Sequence, residues 1–193
     1  RQMCIRDRGT VGDPRWYMEF ARQRVEAMEA AKGVVEEAHK DFEKIFGRRY
    51  DPFIERFHCN DADYIFVTMG SVSGTFRHVV RELRKEGASV GLVRIRTFRP
   101  FPYEELREAI SGAKVVGIVD RSISFGAMKS CGPLFLEVRA ALYEQEKKPK
   151  TVNLILGIGG RDTTPSMVRE CFKKLESVDE RREFDVFWIG LRE

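Results

Sequence analysis

The sequence predicts an α/β domain on an open, mostly parallel sheet of about five strands, with helices on both faces and a long helix before it. Three observations predict this fold. Residues 13–46 carry a single apolar stripe at helical spacing, and nearly continuous apolar runs begin after residue 63. An amphipathic segment of roughly ten to fifteen residues follows each run. Such runs are typical of parallel strands covered on both faces, and the alternation predicts right-handed β-α-β units.

The first predicted element is a helix of about thirty residues, which would span roughly 45 Å. Asp13 is expected to cap it, with Pro14 in the first turn, where a missing N–H costs nothing. Apolar residues recur every three or four positions up to about Phe46. They are Met18, Ala21, Val25, Met28, Ala31, Val35, Ala38, Phe42 and Ile45. We expect this stripe to be partly exposed in the chain and to contact protein outside it.

Four strands are predicted in YIFVTMG, SVGLVRIR, AKVVGIVD and TVNLILGIGG, which begin at residues 64, 89, 113 and 151. Gly87 is expected to end the first helix between them, and Thr164-Pro165 to begin the last. FDVFWIG, from residue 184, predicts a fifth strand at a sheet edge. The apolar helix positions are Phe76, Val79, Val80, Leu83, Leu106, Ile110, Leu134, Phe135, Val138, Ala141, Leu142, Val168, Cys171, Phe172 and Leu175.

The chain is expected to have three segments. Residues 1–8, RQMCIRDR, fit no pattern that follows and resemble strings translated from adapter DNA. We therefore treat them as a non-native tail and expect the natural protein to continue upstream. Residues 9–60 are interpreted as the long helix and a connector, and residues 61–193 as the α/β domain.

The composition argues against several function classes. The chain has 34 Lys and Arg against 30 Asp and Glu, a net charge of +4, and these charges are interleaved, which argues against a nucleic-acid partner. No apolar run approaches the roughly 18 residues of a membrane span, and no secretory signal is present, so we expect a cytoplasmic protein. The four cysteines, Cys4, Cys59, Cys131 and Cys171, form no CxxC pair. That spacing argues against a zinc or iron–sulfur site.

Ligands of an open α/β sheet lie beyond the carboxyl ends of its strands, so the loops there are the candidate sites. The first loop begins Gly70-Ser71 and matches neither GxGxxG nor a Walker A motif. Arg94 and Arg96 stand at the end of the second strand, where a dinucleotide fold would place an acid for the ribose. We interpret the Gly70 loop as a structural turn, whose helix N-terminus would still suit an anion.

The later loops carry arginines, aromatics and hydroxyls. RTFRPFP, residues 96–102, has the composition of an anion clamp, but we favour a rigid loop that packs on a neighbouring domain. VDRSISFG, residues 119–126, offers an acid and a base, yet His39, His58 and His78 lie in the N-terminal half. We therefore interpret Asp120-Arg121, and likewise Arg161-Asp162, as structural ion pairs. The residues expected to form a domain or subunit interface, or a weak anion site, are Gly70, Ser71, Arg99, Phe101, Arg121, Ser124, Phe125 and Arg161.

Five ordered segments carry a family resemblance. VTMGSVSGT, RIRTFRPFP, VDRSISFGA, GPLFLEV and GIGGRDTTP closely resemble the C-terminal region of the alpha chain in the pyruvate:ferredoxin oxidoreductase (pyruvate synthase) family. The long helix resembles the segment that precedes that region, so the resemblance covers about residues 12–193. AMKSC, residues 127–131, departs from the family, whose members are shorter and richer in glycine there.

The resemblance implies a fold like the transketolase C-terminal domain, called oxidoreductase core domain II. It implies an enzyme that converts pyruvate, CoA and oxidised ferredoxin into acetyl-CoA, CO2 and reduced ferredoxin, using thiamine diphosphate, magnesium and iron–sulfur clusters. The implied partners are the upstream domain of the alpha chain, a beta subunit that binds thiamine diphosphate, gamma and ferredoxin-like delta subunits, and ferredoxin. This chain has no GDG-type motif and no cysteine cluster. We therefore expect a structural and assembly domain without catalytic, cofactor or metal residues, inactive alone.

Three alternatives stay open at this point. The substrate could be 2-oxoglutarate or a branched-chain 2-oxoacid, because the substrate-contacting residues of the family lie outside this region. A different class of function is a free-standing nucleotide-binding module that uses the Gly70 loop. A third is an interaction domain without any enzymatic context.

Overall fold

The computed structural model describes residues 13–178 and 184–192. Its strands are β1 (Ile54–Phe57), β2 (Tyr64–Met69), β3 (Val90–Ile95), β4 (Val115–Asp120), β5 (Lys150–Ile155) and β6 (Phe184–Trp188). Its helices are α1 (Tyr17–Phe46), α2 (Val72–Lys85), α3 (Tyr103–Ile110), α4 (Pro133–Leu142) and α5 (Pro165–Glu176). The chain divides between Tyr50 and Asp51 into two compact units, which are described separately. The interpretation of residues 1–8 as a non-native tail lies outside the described residues.

The first unit contains the long helix, α1. Its regular part begins at Tyr17, four residues after the predicted start at Asp13. The Asp13 carboxylate nevertheless accepts the Arg15 N–H at 2.9 Å, as an N-cap does, and the Asp13 carbonyl accepts the Tyr17 N–H at 3.0 Å. The helix ends at Phe46 as predicted, where Gly47 adopts φ +65° and donates its N–H to the Glu43 carbonyl. No residue of α1, all of which lies within the described range, is buried.

The second unit is a six-stranded sheet in the order β1-β3-β2-β4-β5-β6. Strands β2 to β6 pair in parallel, as predicted, and β6 lies at one edge. Strand β1 forms the other edge and runs antiparallel to β3, with Glu55 opposite Arg94. Sequence analysis placed β1 in the connector, because Glu55 and Arg56 interrupt any apolar run there. The sheet therefore has one strand more than the predicted five.

Helices cover both faces of the sheet. Helix α2 packs beside α5, and α3 packs beside α4. Because both faces are covered, the side chains on both sides of a central strand are buried. In β2, Phe66 joins the hydrophobic cluster under α2 and α5, and its neighbours Ile65 and Val67, which point to the other face, are equally buried. All fifteen apolar helix positions predicted for α2 to α5 are buried. Thr164 caps α5 by accepting a hydrogen bond from the Met167 N–H, also as predicted. Among the described residues, none of the helices is long and apolar enough to cross a membrane.

Candidate functional site

The Gly70-Ser71 loop leads directly from β2 into α2. Gly70 has φ +75°, a conformation that glycine adopts without steric cost, and α2 begins two residues later. The Ser73 N–H donates to the Gly70 carbonyl at 3.3 Å, and the Thr68 hydroxyl donates to the Ser73 hydroxyl at 2.9 Å. These internal hydrogen bonds define a tight turn at the carboxyl end of the sheet.

Arg121, after β4, joins the neighbouring loops across the same edge. Its guanidinium donates to the Ser71 hydroxyl and to the Gly157 carbonyl, both at 3.3 Å. Gly157 has φ +65°, and a β-carbon there would lie 3.0 Å from Nε of Arg121. The structure therefore brings Gly70, Ser71 and Arg121 together with the loop after β5. A guanidinium carries five N–H donors, so donors of Arg121 remain for a ligand or a partner.

Asp120 does not form the predicted ion pair with Arg121. Its carboxylate is buried and accepts hydrogen bonds from the N–H groups of Leu134 and Phe135 at 2.9 and 3.0 Å, at the start of α4. The side-chain amide of Asn153 donates a third, at 2.9 Å. Burial raises the pKa of Asp120, and these three hydrogen bonds oppose that rise. Asp120 is therefore a structural cap for α4.

Asn153 is a buried polar residue that sequence analysis missed. Its amide oxygen accepts the Gly132 N–H at 2.8 Å, and its amide nitrogen donates to the Ile118 carbonyl and to Asp120. The sequence does carry a signal for this role, an asparagine inside the apolar run TVNLIL. A buried amide needs specific hydrogen-bond partners, so such a residue indicates a structural contact. Asn153 fixes the end of β4 against the start of α4.

Arg99 and Phe101 form a second group, in the loop before α3. Arg99 makes an ion pair with Glu137 of α4, and its guanidinium lies 4.3 Å from the ring centroid of Phe98. The Tyr103 hydroxyl donates to the same Glu137 carboxylate at 3.0 Å. Burial, and then this hydrogen bond, raise the pKa of Tyr103. Phe101 is buried against Phe98. The loop is thus fixed to its own unit, and Arg99 already has a carboxylate partner.

Ser124, Phe125 and Arg161 occupy two further loops at this edge. The Ser124 N–H donates to the Cys131 carbonyl at 2.9 Å, which folds the loop back on itself. The Phe125 side chain, at its tip, is 88% exposed. Arg161 donates to the Gly190 carbonyl instead of forming the predicted ion pair with Asp162. Phe125 therefore presents a large aromatic surface that the described residues leave uncovered.

Carboxylate, imidazole and thiol groups do not cluster in the described part of the chain. Within residues 13–178 and 184–192, no set of three or more His, Cys, Asp or Glu side chains could hold a metal ion. Of the cysteines described there, Cys59, Cys131 and Cys171 are all buried free thiols. The chemistry that this edge offers is therefore hydrogen bonding from arginines and contact through Phe125.

Comparison of the sequence with known proteins identifies a matching family model and several relatives. The family model described as "Pyruvate:ferredoxin oxidoreductase core domain II" matches residues 62–168. Pyruvate synthase subunit PorA of Thermotoga maritima is 42% identical over 182 residues, which cover 92% of this chain and 44% of that protein. Ketoisovalerate oxidoreductase subunit VorA of Pyrococcus abyssi is 39% identical over 186 residues, which cover 95% of this chain and 46% of that protein. The chain therefore spans a little under half the length of the curated relatives it matches.

A solved structure supports the fold independently. The protein described as "Split gene transketolase, inactive beta4 tetramer" matches with a TM-score of 0.50 and 19% sequence identity, over 66% of this chain and 43% of that one. At this identity the likeness concerns the fold alone. It agrees with the transketolase-like architecture that the sequence predicts.

Proposed function

The chain belongs to the pyruvate:ferredoxin oxidoreductase family, and we propose that it forms part of the alpha subunit of a pyruvate synthase. That enzyme converts pyruvate, CoA and oxidised ferredoxin into acetyl-CoA, CO2 and reduced ferredoxin. The family match over residues 62–168 carries the proposal, and the 42% identity to a PorA subunit supports pyruvate as the substrate. Within the enzyme, this chain is a structural and subunit-assembly domain that works in the cytoplasm.

The residues at the carboxyl edge do not fit thiamine diphosphate. A diphosphate held through magnesium needs carboxylate and carbonyl oxygens that are free to coordinate the ion. The Asp120 carboxylate already accepts three hydrogen bonds and is buried beneath α4, and Asp162, in the loop after β5, is an exposed carboxylate that belongs to no metal-binding group among the described residues. We therefore assign thiamine diphosphate, magnesium and the iron–sulfur clusters to the rest of the enzyme. The proposed partners are the upstream domain of the alpha chain, the beta, gamma and ferredoxin-like delta subunits, and ferredoxin.

An assembly role suits the side chains that the edge exposes. Aromatic residues and arginines are enriched in protein–protein interfaces, where they contribute most of the binding energy. Phe125 is exposed at a loop tip, and Arg121 has guanidinium donors that remain available. The loops around Phe125 and Arg121 are shaped by Gly70, Ser71, Ser124 and Arg161. The neighbouring loop is fixed by Arg99 and Phe101. We assign this edge to contact with another domain or subunit.

Activity of the complete subunit tests the proposed reaction. The full alpha subunit that contains this chain would be produced with its partner subunits and assayed for CoA-dependent ferredoxin reduction. We expect kcat/KM to be highest with pyruvate. Ketoisovalerate is the second candidate, because the VorA match is nearly as similar as the PorA match. A complex that oxidises neither these substrates nor 2-oxoglutarate would contradict the proposal.

A pair of matched variants tests the assembly role. Phe125→Asp replaces an exposed aromatic residue at the proposed interface, and Tyr143→Asp makes a comparable change after α4, where Tyr143 is 77% exposed. Co-purification of the partner subunits should fall for Phe125→Asp and stay unchanged for Tyr143→Asp. Equal behaviour of the two variants, both folded by circular dichroism, would place the interface elsewhere.

A further inference from the structure

Three arginines surround one glutamate on the α2 face of the sheet. Glu55 of β1 stands opposite Arg94 of β3, and Arg96 follows two residues later on the same side. Arg77 reaches this group from α2. Its Nη1 lies 2.5 Å from Oε1 of Glu55, while Nη2 of Arg96 lies 2.7 Å from Oε2. Arg94 is more distant, with Nη1 3.7 Å from Oε2 of Glu55.

The charges in this cluster do not balance. The guanidiniums of Arg77 and Arg94 and the carboxylate of Glu55 line a neighbouring cavity, which gives its wall a net charge of +1. Both Glu55 oxygens are held by Arg77 and Arg96, so Arg94 is the least compensated cation. The Nε atoms of Arg77 and Arg94 are buried and, among the described residues, lack a hydrogen-bond partner. The two side chains are 43% and 41% exposed, so an anion from solvent can reach them and would supply the acceptors that these donors lack.

A small cavity lies beside these groups. Its volume is about 90 Å³, and its lining combines Glu55, Arg77 and Arg94 with the apolar side chains of Phe57 and Leu92 and with Ser73 and Gly74 from the first turn of α2. Ser73 is 3% exposed, and its hydroxyl oxygen already accepts a hydrogen bond from Thr68. The Ser73 hydroxyl proton is therefore left to donate. The positive end of the α2 dipole adds to the potential at this point.

We propose that this cavity binds a phosphate group, held by Arg77, Arg94 and Ser73. A phosphate dianion is attracted more strongly than a carboxylate by the two guanidiniums that line the cavity, and guanidiniums form paired hydrogen bonds with phosphate oxygens. The Glu55 carboxylate opposes an anion, but its two oxygens are neutralised by the arginines that hold it. The cavity has room for one phosphate group. The proposal does not depend on the enzyme activity proposed above.

Amide NMR on the 193-residue chain with inorganic phosphate tests the site, with sodium chloride keeping the ionic strength constant. We expect saturable shifts at Ser73, Gly74 and Arg94, and weaker shifts with acetate. Arg94→Gln and Arg77→Gln should each weaken binding at least about tenfold, because each removes a charged hydrogen bond. Arg169→Gln is the matched control: it removes the same charge from an exposed ion pair with Glu86 on the surface of α5. Its binding should equal that of the wild type.

Shifts that do not saturate would overturn the proposal, and so would binding that is unchanged in both cavity variants. Acetate binding as tight as phosphate would also overturn it, since the charge argument would then be wrong. If a cavity variant fails to fold, the test depends on which residues of the wild type show phosphate-dependent shifts. Shifts at residues away from the cavity would contradict the proposed site. Methyl phosphate separates the two sources of the ligand. Binding equal to that of phosphate assigns the cavity to a phosphate ester, and binding of phosphate alone assigns it to the free ion.

Discussion

The Cγ atom of Asp120 lies 2.1 Å from the point that a β-carbon on Gly132 would occupy. This approach exists because the Asp120 carboxylate caps α4, accepting the N–H groups of Leu134 and Phe135 just beyond Gly132. The Gly132 N–H is itself fixed by the side chain of Asn153. The cap therefore requires a residue without a side chain at position 132.

Gly132→Ala should destabilise the protein by about 2–4 kcal/mol, because the new methyl group displaces Asp120 and breaks its hydrogen bonds. Backbone strain contributes little, since Gly132 has φ −83°, which alanine adopts readily. Urea denaturation measures the change. Gly112→Ala is the control: nothing lies within 4 Å of its β-carbon position, so its effect should stay within about 1 kcal/mol. Similar losses for both variants would contradict the close-packed cap.

Local sequence patterns predicted the helices correctly, because the interactions that define a helix join residues only a few positions apart. The buried face of α2, from Phe76 to Leu83, follows from helical spacing alone. Thr164-Pro165 begins α5 because both residues act within one turn. Asp13 also acts locally, because its carboxylate accepts the Arg15 N–H as an N-cap does, although the regular helix begins only at Tyr17.

Features that depend on distant residues were missed. Strand β1 is only four residues long, and it is stabilised by pairing with β3 and by the arginines around Glu55. No signal within its own sequence marks it. The Asp120–Arg121 error was avoidable, because successive strand residues point to opposite faces. Asp120 is the last residue of β4 and lies under the start of α4, whereas Arg121 follows the strand and reaches the loops beyond it.

The stability of the chain should fall at alkaline pH because of Cys171. Burial raises the pKa of Cys171 from 9.0 to about 12. Since the unfolded thiol loses its proton first, the unfolded state is favoured as the pH rises from about 9 towards about 12. The free energy of unfolding should fall by at most about 1.4 kcal/mol per pH unit from this group.

Comparison with Cys171→Ala isolates the thiol contribution, because tyrosines and lysines titrate in both proteins and cancel. The free energy of unfolding of the wild type minus that of Cys171→Ala should be constant below about pH 8. It should decrease above about pH 9. A difference independent of pH up to about 10.5 would show that the pKa of Cys171 is not raised.

The apolar stripe of α1 should promote association of the chain. Met18 is 80% exposed and Val25 51% exposed, and exposed apolar patches favour self-association or partner binding. Val25→Lys should therefore shift sedimentation towards the monomer. Gln23→Lys adds the same charge on the other side of the helix and should leave association unchanged. A wild-type chain that sediments as a monomer at all concentrations would contradict this prediction.

Thiamine diphosphate should not bind tightly to this chain alone. Its diphosphate must be anchored through magnesium, and its pyrimidine needs a carboxylate to activate the thiazolium ring. At the carboxyl edge the Asp120 carboxylate is committed to the α4 cap, and the other charged groups there include the guanidiniums of Arg99, Arg121 and Arg161. Calorimetry with magnesium present should show no saturable binding by the chain and magnesium-dependent binding by the assembled enzyme. Under the proposed function, adding the beta and ferredoxin-like subunits to this chain should produce neither binding of thiamine diphosphate to it nor pyruvate oxidation, because the proposal assigns a further part of the site to the upstream domain of the alpha subunit. Tight, magnesium-dependent binding by the 193-residue chain would overturn the assignment of this segment to a structural and assembly role.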